Sequence, residues 1–484
     1  MAGGKNASII APPLELDRSH PATHGRFHSS PPLEPSSAPH QADPRLRALR
    51  PRPARPPPLP PLPPSTSTSS DTTTTTLTAP KPQQQPAPAR KRTPPPPRCD
   101  YSDGEWVRSE AATPLYNGTS CGRTIKAGQN CEAHGRPDTG YLRWRWRPRA
   151  AGCAVPPFDP AEFLRLVRGR HVAFVGDSLA RNQCESLVCL LTSAFPSQLV
   201  RGAGGGDGDG DGDELRKFRR WAFPSHGATV SVFWSPFLVN GTEKAKGGGT
   251  GLNHNRLFLD QPDERWAAEV PGIDVVVLSA GHWFLHPAVY YDRGAVVGCH
   301  QCPDPDHDNR TETGFFGVFR LAVRNALREI VLRAARTEPS NRRPKLAVVT
   351  TFSPAHFEGD WDSPRACART EPYAPGEREP EYMDREMSGA EAEEVAAVRA
   401  DASARGAGVE VEALEVTRLS GLRADGHPGP YMHPFPFADG ERDRVPNDCV
   451  HWCLPGPVDT WNEILLQVVK RWAAGVDDDA SSPP

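Results

Sequence analysis

Val172-Ala-Phe-Val-Gly-Asp-Ser-Leu-Ala-Arg-Asn182 opens on a short apolar run and breaks at Gly176-Asp177-Ser178. The run has the composition of a buried parallel strand, and Leu179, Leu187, Val188 and Leu191 then recur at helical spacing. Ser178 is therefore expected at a strand-to-helix turn. In an open α/β sheet, ligands gather at the carboxyl ends of the strands. A helix N-terminus adds unpaired backbone N–H groups and the positive end of a dipole. A serine there can attack a carbonyl while its own N–H steadies the oxyanion.

Gly-Asp-Ser by itself also fits a plain turn whose Asp or Ser merely caps the helix. A second motif changes the weighing: Asn447-Asp-Cys-Val-His-Trp-Cys-Leu-Pro-Gly456, almost at the other end of the chain. Asp448 and His451 are three residues apart, so the carboxylate can fix the imidazole tautomer while the other ring nitrogen faces a nucleophile. Val458 to Trp472 follows as an amphipathic closing helix. A serine early and Asp-x-x-His late is the chain order of GDSL/SGNH esterases, which these two motifs resemble. His427, in Asp425-Gly-His427, is the rival base, and the spacing from Asp448 favours His451.

The 484 residues hold a large core's worth of chain, and a formal net charge of −3 excludes a nucleic-acid binder driven by overall charge. Much of the excess among the 55 prolines falls before Cys99. Residues 1–98 are read as a disordered or polyproline-like tail, because such composition cannot bury enough apolar area to offset its ordering entropy. Residues 99–154 read as a cysteine-punctuated subdomain, 155–475 as the main domain, and 476–484 as a second tail. The Gly/Asp run from Gly202 to Asp213 is not an EF-hand loop, since the twelfth position from Asp207 is Phe218, and it reads as a solvated insertion. No run of about 18 apolar residues marks a membrane span.

Eleven cysteines, all outside the Pro-rich tail, point to disulfides. Cys299-His-Gln-Cys302 is a lone Cys-x-x-Cys with nothing to complete a zinc site, so no metal is expected. An odd count leaves at least one thiol unpaired, and Cys184 and Cys189 on the same helix do not suit each other. Sequons at Asn117, Asn240 and Asn309 agree with a secretory lumen.

Within the cysteine-punctuated segment, Tyr141–Arg147 alternates like a half-buried strand, with Leu142, Trp144 and Trp146 opposite Arg143, Arg145 and Arg147. The tryptophans suit packing on the main domain, and the arginine face is the better candidate for glycan hydroxyls. Thr229–Phe233, Asp274–Ser279, Leu346–Phe352 and Glu410–Thr417 read as strands, Phe315–Ala334 and Glu391–Ala404 as helices. Their alternation is the signature of a parallel α/β sheet.

Gly135-Arg-Pro-Asp and Trp144-Arg-Trp-Arg-Pro148, then Gly176-Asp-Ser178 with Arg181-Asn182, and finally Asp448-Cys-Val-His-Trp-Cys-Leu-Pro-Gly456, together resemble the plant trichome-birefringence-like polysaccharide O-acetyltransferases. Ser279-Ala-Gly-His-Trp-Phe284, Ser353-Pro-Ala-His-Phe-Glu358 and Arg423-Ala-Asp-Gly-His427 look most like the xyloglucan-acetylating branch. The resemblance implies an SGNH-like three-layer α/β sandwich and acetyl transfer through an acetyl-serine, with Ser178, His451 and Asp448 catalytic. It implies an acetyl donor as co-substrate, acetyl-CoA or another, with no bound cofactor, and a polysaccharide acceptor. It places Gly281 and His282 at an oxyanion loop, with Arg181 and Asn182 beside the site. It also implies a type II membrane protein of the Golgi lumen. Xylan or mannan acetylation, a carbohydrate esterase using the same three residues, and a non-catalytic glycan-binding protein are the alternatives.

Overall fold

The computed structural model describes residues 98–200, 217–245, 252–302, 311–336, 343–440 and 442–480. Of the two tails, 1–97 and 481–484 fall outside the described residues, as do the Gly/Asp run and Asn309, but residues 476–480 continue the closing helix to Ala480 rather than forming a tail. In chain order the elements are β1 (Gly104–Arg108), β2 (Trp144–Pro148), α1 (Pro160–Leu166), β3 (His171–Gly176), α2 (Ser178–Thr192), β4 (Gln198–Val200), β5 (Phe218–Phe223), β6 (Ala228–Trp234), β7 (Val239–Thr242) and β8 (Asn255–Pro262). There follow α3 (Glu264–Ala267), β9 (Val275–Ser279), β10 (Ala288–Asp292), β11 (Ala295–His300), α4 (Phe316–Arg336), β12 (Lys345–Thr350), α5 (Tyr382–Ala404), β13 (Val409–Leu414), α6 (Thr417–Gly421) and α7 (Val458–Ala480).

Strands that are apolar on both faces form the centre of a seven-stranded sheet ordered β13-β12-β9-β3-β6-β5-β4. The first five run parallel, and β5 and β4 extend the β6 edge antiparallel. Alternate residues serve opposite layers. Val172, Phe174, Val275 and Val277 pack with Phe163, Leu187, Leu465 and Val469 of α1, α2 and α7. Ala173, Val175, Val276 and Leu278 pack with Phe319, Val323, Val395 and Val398 of α4 and α5. The result is the expected three-layer sandwich. Because β3 lies between β6 and β9, the chain reverses its direction of winding there, and the ends of β3 and β9 open on a crevice.

A second sheet, β11-β10-β8-β7, has no counterpart in the sequence reading. Nor does the strand expected over 141–147 begin where alternation places it: Gly140–Arg143 form a 3-10 turn, and β2 starts at Trp144. β1 and β2 pair antiparallel, setting Trp106 opposite Trp146. The Trp106 indole donates to the Leu419 carbonyl at 2.8 Å and the Trp146 indole to the Tyr101 carbonyl at 2.8 Å, so both are packing groups.

Disulfides Cys99–Cys153, Cys121–Cys189, Cys131–Cys453, Cys299–Cys302 and Cys367–Cys449 are formed, leaving Cys184 as a buried free thiol. Cys299, Cys302 and Glu312 cluster, but the bridge removes both thiolates from metal chemistry. Among the described residues no helix is long and apolar enough to cross a membrane.

Candidate active site

The turn after β3 is made possible by Gly176. Its φ is +151°, and a Cβ there would lie 1.7 Å from the Ser279 carbonyl oxygen, so glycine alone lets β3 and β9 close at this point. Asp177 is the N-cap of α2. One carboxylate oxygen accepts from the Leu179 N–H at 2.9 Å and the other from the Gly281 N–H at 3.1 Å, stitching the two strand-end turns together. Burial pushes its carboxyl up to about 6, against the pull of those backbone bonds and of His451. Ser178 follows as the first helical residue, half-buried. From that position its backbone N–H has no acceptor within the helix.

The late motif folds back to meet this turn. Asp448 accepts from His451 Nδ1 at 2.7 Å, and its other oxygen accepts the backbone N–H groups of Val450 at 3.1 Å and His451 at 2.9 Å. Burial acts to raise the Asp448 carboxyl, but His451 and these bonds outweigh it and hold it well below the usual carboxylate range. With the proton fixed on Nδ1, Nε2 of His451 presents a lone pair, and it is buried with no hydrogen-bond partner. Disulfides at Cys449 and Cys453 fasten the loop on either side.

Asn182 joins the two motifs. It stands one helical turn, about 6 Å along the axis, beyond Ser178. Its side chain accepts from the Trp452 N–H at 2.9 Å and donates to the Trp452 carbonyl at 3.3 Å and to Gln129 Oε1 at 3.2 Å. The residue after His451 is thus bonded in both directions to the helix that Ser178 heads. His427, the rival base, has both ring nitrogens engaged: Nδ1 lies 2.7 Å from the His451 carbonyl and Nε2 lies 2.7 Å from His356 Nδ1.

Residues 155–468 match the PC-Esterase family, described as a GDSL/SGNH-like acyl-esterase family found in Pmr5 and Cas1p. The chain belongs to this family. Residues 97–153 match the PMR5 N-terminal domain, which coincides with the cysteine-punctuated subdomain. The PC-esterase chain is 57% identical over 374 residues to Xyloglucan O-acetyltransferase 2 of Populus trichocarpa, covering 77% of this chain and 82% of that protein. It is 51% identical over 377 residues to Xyloglucan O-acetyltransferase 1 of Arabidopsis thaliana, covering 78% and 81%. Protein trichome birefringence-like 26 of Arabidopsis thaliana is 38% identical over 372 residues, covering 76% and 77%.

Other expected contributors to the PC-esterase site lie elsewhere or are otherwise engaged. The Gly281 N–H is already given to Asp177, so it is not the free oxyanion donor the sequence suggests. Gly281 instead makes room for Phe352, whose ring carbon would stand 2.6 Å from a Cβ. His282 Nε2 donates to the Ser353 carbonyl at 2.9 Å, and desolvation draws the ring down to about 4. A neutral His282 bonded that way keeps no proton on Nδ1 to offer an oxyanion. The Arg181 guanidinium is buried 5.7 Å from the Trp234 ring centroid. On the arginine face, Arg143 donates to the Glu110 and Ala112 carbonyls, Arg145 pairs with Glu463, and Arg147 pairs with Glu105.

Two residues at the site carry no local signal in the sequence. Ser235 donates its N–H to the Gly176 carbonyl at 2.8 Å and keeps a buried hydroxyl without a partner. Glu391 accepts from the Phe352 N–H at 2.7 Å, and burial, reinforced by Asp177, pushes its carboxyl well above the usual range. It sits in an acidic run, Glu391-Ala-Glu-Glu394, which the sequence marks only as helical.

Proposed function

We propose that this protein is a polysaccharide O-acetyltransferase that carries an acetyl group on Ser178 and delivers it to a hydroxyl of xyloglucan. The observation that carries the reading is the Asp448–His451 pair at 2.7 Å, whose unpartnered Nε2 stands on a loop bonded to Asn182, one turn into the Ser178 helix. Kinship with proteins named xyloglucan O-acetyltransferases supports the acceptor.

In the first half-reaction His451 Nε2 takes the Ser178 hydroxyl proton as Oγ attacks the acetyl carbonyl. The tetrahedral oxyanion is held by the Ser178 N–H, with the Ser235 hydroxyl as a second donor at the same strand end; each such donor lowers the barrier by about 3 kcal/mol. Collapse expels the donor's leaving group, which receives the proton from His451. An acceptor hydroxyl then loses its proton to His451, attacks the acetyl-serine, and leaves as the ester while Ser178 is reprotonated. Asp448, ionised throughout, stabilises the imidazolium of each half-reaction. The donor in this reading is an acetyl thioester such as acetyl-CoA. Five disulfides fit an oxidising compartment, in keeping with a Golgi-lumen address.

The test is incubation of the purified chain with labelled acetyl donor and xyloglucan, xylan or mannan oligosaccharides, read by mass spectrometry. Acetylated xyloglucan formed by the wild type and not by Ser178→Ala is the expected result. Free acetate with no acetylated sugar would make the protein an esterase, and acetylated xylan or mannan alone would move the acceptor.

A further inference from the structure

His356 and His427 lie buried side by side behind the His451 loop, and every ring nitrogen of the pair has a neighbour. His356 Nε2 is 2.9 Å from the Gly421 carbonyl, His427 Nδ1 is 2.7 Å from the His451 carbonyl, and His356 Nδ1 is 2.7 Å from His427 Nε2. A carbonyl oxygen can only accept, so His356 Nε2 and His427 Nδ1 must both carry protons. Those are the single protons of two neutral imidazoles. The third contact would then set lone pair against lone pair at 2.7 Å, and it becomes a hydrogen bond only with one more proton between the rings.

We propose that His356 and His427 hold three protons between them, as an imidazole–imidazolium pair, and that this shared proton positions the general base by clamping the backbone carbonyl of His451. The clamp rests on the role given above to His451; the proton count does not.

The surroundings act in both directions. Burial draws His427 down to about 4 and His356 well below the usual imidazole range, and His427 opposes a charge on His356. Arg369 and Arg378 also oppose a charge on His356, from across the Tyr373 ring that stacks on it, and Arg136, bonded to the His427 carbonyl, opposes one on His427. His451 opposes it as well, and Asp448 favours it. Glu358 accepts from the Tyr373 hydroxyl, and the adjacent Arg423 and Asp425 neutralise each other. The Trp452 ring lies stacked on His427 at 4.1 Å, a face that favours a cation. A neutral pair cannot keep all three contacts, so the geometry decides for the proton.

The pair therefore loses its proton as pH rises. Lone pair then faces lone pair at the shared contact, and the His427 ring turns to relieve it, drawing its Nδ1 proton off the His451 carbonyl. Wild-type kcat/KM is expected to fall on the alkaline side, along a limb set by the pair.

The test uses the full, disulfide-bonded chain labelled with 15N-histidine, followed by NMR from acid to alkaline pH, with the pair assigned by comparison with His356→Asn. Three protonated ring nitrogens at mildly acid pH, falling to two on the alkaline side, support the proposal. Two neutral rings at every pH overturn it. In acetyl transfer, the Asn amide of His356→Asn stands where Nδ1 stood and can donate to a neutral His427, so the alkaline limb should vanish. His427→Ala should lower kcat about tenfold with KM for the donor unchanged, since it leaves a buried carbonyl unpaired. An unaltered alkaline limb in His356→Asn refutes the clamp. If the wild type transfers no acetyl group, the functional reading falls while the nitrogen shifts still decide the pair.

Discussion

Asn182→Ala removes three hydrogen bonds from the junction between the two motifs. The Trp452 N–H, its carbonyl and Gln129 Oε1 lose their partner, and Asn182 and Trp452 are both 0% exposed, so water does not replace it. A buried group left unpaired costs about 1–3 kcal/mol. The 2.9 Å contact to the Trp452 N–H carries the largest share, and the 3.2 and 3.3 Å contacts divide one amide and count for less. The sum is about 3 kcal/mol. Because disulfides at Cys449 and Cys453 keep the loop attached, the protein still folds, and the loss appears as a lower Tm. The imidazole is the part that moves, and a displacement of about 1 Å from the reacting geometry costs about 10²-fold in rate. The assay pairs thermal unfolding with kcat for acetyl transfer, using Cys184→Ala as the control. Cys184 is buried on the same helix without a bond to the loop, so its variant should lose stability while keeping kcat. Wild-type kcat in Asn182→Ala would refute the idea that this residue holds the base.

Three further outcomes follow from the same geometry. Asp448→Asn should keep the fold but lower kcat on the order of 10⁴-fold at saturating donor, because an amide facing Nδ1 selects the wrong tautomer. Gly176→Ala should destabilise by more than about 3 kcal/mol, read as lost soluble yield or a large fall in Tm, since its Cβ would stand 1.7 Å from the Ser279 carbonyl oxygen. Glu463→Gln changes the pH dependence of stability. Burial pushes the Glu463 carboxyl up to about 7 against the pull of Arg145, so the folded chain holds more protons than the unfolded one between about 4.5 and 7. Wild-type stability due to this group falls as pH rises through that window. Glutamine has no proton to lose, so the Tm difference should move in favour of the variant between about pH 5 and pH 8.

The parts of the site legible in the sequence are those set by neighbours along the chain. Gly176-Asp177-Ser178 announces a strand-to-helix turn because apolar run, breaker and helical spacing adjoin one another. Asp448 and His451 announce a pair because three residues bring them within reach. The alternation of strands and helices likewise announces the parallel sheet, while the four-stranded second sheet leaves no such signal because β7, β10 and β11 are short and irregular.

What failed were assignments of unoccupied hydrogen-bonding capacity. Gly281 looked like a free donor and the strand of arginines like a free face, but the Gly281 N–H belongs to Asp177 and Arg145 to Glu463. Glu391, which the sequence marks only as the start of a helix, lies buried against the Phe352 N–H.

Local order therefore determined on its own that a serine heads a helix at the carboxyl end of a strand and that an acid accompanies a histidine near the closing helix. Only the folded chain decided that Asn182 would meet Trp452 across 270 positions of sequence, and that His427 would face a second histidine and the His451 carbonyl. Periodicity records which way a side chain points along its own element. The partner it finds depends on how the layers close.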